Sequence, residues 1–188
     1  LGAAPMRALF ARVARPIATA STPGAWLAGR RLLATIDGTC LDVPDTADNE
    51  AFFGRPGVNK GEKSAFPQAR LVAVAECGTH AIIDAEVGPC TTSEPALALA
   101  LVGRLRPGTL LLADRGFTSY AMWTAAAATG ADLLWRAKTS TRPQHVETLP
   151  DGSWLAEIRL STDRDRPPVT VRVVAYTIDD GREHPGSY

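Results

Sequence analysis

LLATIDGTCLDV (32–43) and LLLADRGF (110–117) are the two stretches whose reading decides the fold. In each, a short apolar run is followed by an aspartate, Asp37 or Asp114, and then by turn-permitting residues, Gly38 or Arg115-Gly116. Apolar runs of this length read as buried strands, and the alternation after Asp37 prolongs the first one. An acid beside an apolar strand is costly to bury without a partner. In open α/β sheets, ligands gather at the carboxyl ends of strands. Two such carboxylates side by side would repel each other. A hard divalent cation removes that repulsion and takes oxygen ligands. The plainer alternative is that both aspartates cap turns, since Asp-Gly is a common turn dipeptide.

Around these strands the chain alternates. Residues 69–88 read as a hairpin about a Cys-Gly-Thr-His turn. Residues 93–105 read as a helix with Ser93 as N-cap, Glu94 at its positive end, Pro95 in the first turn and Pro107-Gly108 as its stop. Residues 119–130 read as a second helix, from Ser119 to Gly130, and 131–140 as another strand. Residues 153–160 and 169–178 alternate as strands of a β-rich extension. Residues 44–69 form a polar segment rich in Gly, Pro and Asn, long enough to suggest function. The N-terminal stretch reads as an amphipathic helix interrupted at Pro16. A hairpin followed by alternating strand and helix gives a mixed α/β fold: one mixed sheet with flanking helices.

Composition bounds the function classes. The chain has 188 residues, 45% hydrophobic and 21% charged, which excludes wholesale disorder and a disulfide scaffold. No apolar run approaches the ~18 residues that a membrane span needs. Three cysteines, Cys40, Cys77 and Cys90, lack metal-ligand spacing and are expected to be buried free thiols in a reducing cytoplasm. Lys+Arg and Asp+Glu are 20 each, so the net charge is zero, but the charges are segregated. Residues 1–31 hold five Arg and no acid, and residues 37–50 five acids and no base. Arg55, Lys60, Lys63 and Arg70 then outnumber Glu62. A solvated surface of mixed sign is the ordinary reading; a carboxylate site flanked by basic loops is the functional one. The run Gly57–Ser64 is not a phosphate-binding loop, because Glu62 interrupts the spacing and no strand–helix context surrounds it.

IDGT (36–39) with Leu41-Asp42, FGRPG (53–57), FPQARLVAVAECGTHAIIDAEVGPC (66–90), LLLADRGF (110–117) and GADLLWRAK (130–138) follow one another in the order of a known family. The chain resembles the catalytic domain of bacterial transposases of the insertion sequence 4 family over roughly residues 30–178. The resemblance implies a ribonuclease-H-like fold, an Asp-Asp-Glu metal site with Mg²⁺ (or Mn²⁺), and cut-and-paste DNA transposition. It makes Asp37 and Asp114 the first two catalytic and metal-binding acids. It places Arg115, Arg136 and Lys138 against DNA, the last two on a strand, with Arg55 and Lys60 in a further DNA-contacting loop. Asp37 would be shared between two ions and Asp114 would hold one. Trp26, Trp123, Trp135 and Trp154 read mainly as core residues, with stacking on an unpaired base as the alternative for Trp154 in the insertion.

The resemblance departs at the third acid. The family's Glu lies on a later helix in a Tyr…Arg…Glu…Lys pattern that this sequence lacks, and Glu183 lies in an Asp-Asp-Gly-Arg-Glu-His-Pro-Gly loop. The expected organisation is therefore a partial N-terminal helical segment (1–31), a ribonuclease-H-like core (32–140) and the start of a β-rich insertion (141–188), cut before the catalytic Glu helix. Expected partners are transposon-end and target DNA and, in the full-length protein, a second copy. The alternatives are an inactive transposase remnant that at most binds DNA or its parent enzyme, and a different ribonuclease-H-like nuclease.

Overall fold

The structure is a computed structural model. It describes residues 2–57, 63–138, 141–159, 165–178 and 186–187. The element order is α1 (Ala3–Val13), β1 (Trp26–Leu27), β2 (Arg31–Asp42), α2 (Ala47–Phe53), β3 (Gln68–Glu76), β4 (Ile82–Pro89), α3 (Glu94–Val102), β5 (Thr109–Ala113), α4 (Tyr120–Ala127), β6 (Asp132–Trp135), β7 (Gln144–Thr148), β8 (Trp154–Ile158), β9 (Val169–Val173), β10 (Thr177–Ile178) and β11 (Gly186–Ser187).

The central sheet runs β4-β3-β2-β5-β6, with the short β1 added beside β2. β2, β3 and β4 are antiparallel, whereas β5 and β6 run parallel to β2. Parallel neighbours need crossover connections, and α3 and α4 supply them. A mixed sheet with flanking helices, three antiparallel strands followed by two parallel ones, is the expected mixed α/β arrangement.

Both helices pack on one face. Ala34 and Ile36 of β2, Val72 and Val74 of β3 and Leu111 of β5 meet Ala98, Leu101 and Val102 of α3 and Met122 and Ala126 of α4, with Phe117 between them. Period-2 alternation then assigns Thr35, Asp37, Leu112 and Asp114 to the opposite face. Of the caps read from sequence, Ser119 accepts from the Met122 N–H at 3.2 Å. Ser93 stands at the N-cap of α3 but makes no side-chain cap bond.

Several expectations change. β2 bears out the strand read over 32–43 and, paired with β3 over Ala34–Asp42, removes the alternative of a turn at Asp37. Asp37-Gly38 is therefore mid-strand and not a turn. The polar segment 44–69 contains α2, capped by Thr46 with Asp48 and Glu50 in its first turn. β6 stops at Trp135, where its partner β5 ends, so Arg136 and Lys138 lie beyond the strand. Cys40 is exposed and Cys77 half-buried, so only Cys90 is the expected buried thiol. Burial raises the Cys77 thiol pKa above its usual value. A separate three-stranded sheet, β7-β8-β9, contains the two expected extension strands and also Gln144–Thr148.

One buried acid was not expected to be structural. Glu76 ends β3 fully buried and accepts from the Ile17 N–H at 2.9 Å, the Ala18 N–H at 3.0 Å and the Thr79 hydroxyl. It fastens the segment after α1 to the sheet. α1 itself buries no residue.

Candidate active site

The two strands that lead to the aspartates, β2 and β5, are parallel neighbours. The parallel pairing of β2 and β5 runs Leu32↔Thr109 to Thr35↔Leu112. That pairing ends at Thr35↔Leu112; Asp37 lies two residues further along β2, and Asp114 lies two residues further along the chain, just past the end of β5. The pairing of β5 with β6 ends at Ala113↔Trp135, and one more step sets Asp114 opposite Arg136. Asp37 within β2, Asp114 just past β5 and Arg136 just past β6 thus lie toward the same end of three parallel strands. Thr35, Leu112 and Leu134, two residues back, form a row across those strands.

Local geometry aims both carboxyls outward. Asp37 is exposed, and its Oδ1 accepts from the Gly38 N–H at 2.8 Å. Asp114 is exposed, follows β5 and caps a single 3₁₀ turn (Arg115–Phe117), its Oδ1 accepting from the Gly116 N–H at 2.6 Å. Phe117 is buried, which fixes the far end of that turn in the core. Each carboxylate keeps its second oxygen, and neither is ion-paired among the described residues. Exposed, unpaired carboxylates are hard oxygen donors of the kind Mg²⁺ or Mn²⁺ accepts, so the two residues fit a divalent ion. Among the described residues no group of three or more His, Cys, Asp or Glu is placed to hold a metal.

The basic residues fall into two classes. Arg115 and Arg136 are exposed and Lys138 is half-buried, all at the carboxyl end of the parallel strands. The Arg136 N–H donates to the Ala113 carbonyl at 3.0 Å and its carbonyl accepts from the Thr118 hydroxyl at 2.9 Å, which pins its backbone beside Asp114. Arg55 differs. Its guanidinium binds Asp45, Glu50 at 3.2 Å and the Ser64 and Ala65 carbonyls, and it ties α2 to the chain returning toward β3. Lys60 and Glu183 lie outside the described residues.

Next to the acids, the open sheet face and the β7-β8-β9 sheet enclose a cleft of about 870 Å³. Its walls include Thr35, Leu112, Leu134, Arg115, Trp154 and Tyr176. The Tyr120 hydroxyl donates to the Pro167 carbonyl at 2.9 Å, joining α4 to the chain before β9. Arg172, also on the cleft wall, is held by Asp151 and by the Ser153 hydroxyl at 2.8 Å.

Residues 29–184 match the family described as "Transposase DDE domain". The chain belongs to this family. It is 29% identical over 163 residues to the transposase InsG for insertion sequence element IS4 of Escherichia coli (strain K12), a match spanning 86% of this chain and 36% of that protein. It is 29% identical over 119 residues to the putative transposase InsZ of the same organism, spanning 63% of this chain and 40% of that protein. The chain thus matches little more than a third of the length of either relative. Among solved structures, a piggyBac transposase synaptic complex with hairpin DNA aligns over 87% of this chain and 36% of that one, with a TM-score of 0.43 and 15% sequence identity. No described helix is long and apolar enough to cross a membrane.

Proposed function

We propose that this transposase domain carries part of a metal-dependent centre for cutting and joining DNA strands in cut-and-paste transposition, with Asp37 and Asp114 as its first two acids. The observation carrying this reading is a pair of exposed aspartates without ion-pair partners among the described residues, one in β2 and one just past its parallel neighbour β5, in a chain of this family. Asp37 and Asp114 would hold Mg²⁺ or Mn²⁺ through the oxygens that the Gly38 and Gly116 N–H groups leave unused. Such an ion, when bound, supplies Lewis-acid activation of a water or 3′-hydroxyl and neutralises charge on the scissile phosphate.

The remaining groups would place the DNA. Arg115 follows the second acid directly and Arg136 lies at the same end of the parallel strands, so both would reach the phosphates flanking the scissile one. Lys138 extends that basic edge. In this reading Arg55 shapes its loop through its four contacts, and a DNA contact there would fall to Lys60. The aromatic cleft beside the acids, with Trp154 on its wall, suits an unstacked base. DNA ends, target DNA and a second copy of the full-length protein are the proposed partners. The three divisions 1–31, 32–140 and 141–188 remain our proposed domain boundaries.

The alternative reading is a chain that binds DNA or its parent enzyme without cutting. One experiment separates the two. The chain is incubated with end-containing DNA and Mg²⁺ or Mn²⁺, and Mn²⁺ binding is measured in parallel. Mn²⁺ binding lost in Asp37→Asn and Asp114→Asn, without cleavage, supports an incomplete centre. Cleavage that both variants abolish supports a complete one. Neither binding nor cleavage removes the metal reading.

A further inference from the structure

Gly38, the residue after Asp37, lies directly against the side chain of Glu94. A Cβ built there would stand 1.8 Å from Glu94 Oε1, 2.7 Å from its Cδ and 2.9 Å from its Cγ. The Glu94 carboxyl therefore fills the volume that an alanine methyl would need. Gly38 is not among the residues of positive φ, so what a side chain here would displace is the Glu94 carboxyl, with no cost in backbone conformation.

Glu94 is held in that place by its helix. It is the first residue of α3, and Ala98, Leu101 and Val102 of the same helix are anchored in the core. One turn on, Leu97 closes over Gly88 of β4, where a Cβ would meet its Cδ2 at 3.0 Å. The start of α3 is thus seated on two glycines, one in β2 and one in β4. Glu94 is half-buried, and its carboxyl has no hydrogen-bond or ion-pair partner among the described residues. What it touches is the peptide that serves the candidate site, because the Gly38 N–H donates to Asp37 Oδ1.

We propose that Glu94 is a positioning residue for Asp37: from the covered face of the sheet it packs on Gly38 and fixes the backbone that presents the Asp37 carboxyl on the open face. This rests on the reading of Asp37 as a metal-holding acid. The role is one of shape. The family's acids act by touching the ion; Glu94 acts through the strand behind one of them.

The test uses the full chain and four variants: Glu94→Gln, Glu94→Ala, Gly38→Ala and the double variant Gly38→Ala/Glu94→Ala. Three quantities are read: thermal midpoint, NMR shift and hydrogen exchange of the amide at position 38, and Mn²⁺ affinity by calorimetry. Glu94→Gln, which keeps the shape, should leave all three at wild-type values. Glu94→Ala should shift the position-38 amide, speed its exchange and weaken Mn²⁺ binding about tenfold. Gly38→Ala should lower the midpoint by about 5 °C through overpacking. The double variant should regain most of that loss, because the deleted carboxyl leaves room for the methyl.

The proposal is overturned if Glu94→Ala leaves the position-38 amide unchanged, or if the double variant is no more stable than Gly38→Ala. It is also overturned if Glu94→Gln and Glu94→Ala weaken Mn²⁺ binding equally while the amide stays put, since Glu94 would then be a direct ligand. A wild-type chain that binds no Mn²⁺ would remove the metal reading of Asp37, and the stability and exchange measurements would still decide whether Glu94 holds the strand.

Discussion

The two faces of the central sheet are made from alternate residues of the same strands, and they do opposite work. On one face Ala34, Ile36, Val72, Val74 and Leu111 are buried beneath α3 and α4. On the other, Asp37 and Asp114 are exposed, and so is Leu134, at 58% of its full accessible area. The covered face supplies the free energy that holds the strands in register. The open face carries two like charges, Asp37 in β2 and Asp114 just past its parallel neighbour β5, whose repulsion a bound cation would offset. Stability and chemistry are thereby separated by one residue of sequence, and substitutions on either side of the sheet should show it.

The largest effect is expected on the open face and on activity alone. In whichever length of this protein cleaves DNA, Asp37→Asn or Asp114→Asn should lower the cleavage rate about a thousandfold, or ~4 kcal/mol in barrier. Because both side chains are exposed and unpaired, the thermal midpoint should stay within about 2 °C of wild type. A large loss of stability in either variant would break the comparison, since the acids would then be part of the scaffold.

The covered face should behave in the reverse way. Leu111→Ala removes a fully buried side chain beneath α3 and α4 and should cost about 3 kcal/mol in urea unfolding. The Mn²⁺ affinity of the fraction still folded should be unchanged. Affinity that falls in step with stability would mean that the placement of Asp37 and Asp114 is not set rigidly by the core.

Glu76 sits on the covered face and sharpens the contrast, because it is an acid that the fold uses without chemistry. Glu76→Gln can keep the Oε1 acceptor for the Ile17 and Ala18 N–H groups and the Thr79 hydroxyl, but it removes the charge that strengthens those bonds and turns an amide N–H₂ toward the Ala18 N–H that Oε2 accepts at 3.3 Å. It should cost about 2 kcal/mol. Hydrogen exchange at Ile17 and Ala18 should accelerate more than exchange in β2 or β5. If exchange rises uniformly, the N-terminal segment is not a separate unit fastened by this carboxylate.

The sequence made much of this legible, and the limits have physical causes. Apolar runs ending at Asp37 and Asp114 were enough to single out both acids, because a charged residue in such a place needs a reason. That their strands are parallel neighbours depends on inter-strand pairing, which no local pattern carries. The alternation Val72, Val74, Glu76 already places the last of these on the covered side, so a buried role for Glu76 was readable from parity. Thr46 before Asp48 and Glu50 is likewise the start signal of α2, hidden by the surrounding Gly and Pro. Arg136 and Lys138 were assigned to a strand that tertiary pairing ends at Trp135. Arg55 looked like a free cation because its partners, Asp45 and the Ser64 and Ala65 carbonyls, meet it only through folding. Glu94 read as an ordinary helix-start acid, and only the close approach of Gly38 gives it a further meaning.

The smallest effect belongs to Leu134. It lies in the row with Thr35 and Leu112 and faces the open cleft, so in this chain Leu134→Ser exchanges one solvent-exposed side chain for another. The unfolding free energy should change by less than about 0.5 kcal/mol. The same substitution in a longer protein that covers this face would remove a buried side chain and should cost about 1–3 kcal/mol. The ratio of the two costs therefore reports directly on whether the open face is open in the working enzyme. Equal, small costs would mean that the cleft beside Asp37 and Asp114 stays accessible to DNA. A cost that grows with chain length would mean that further protein closes over the Leu134 row, leaving the aspartates at its margin as the way in.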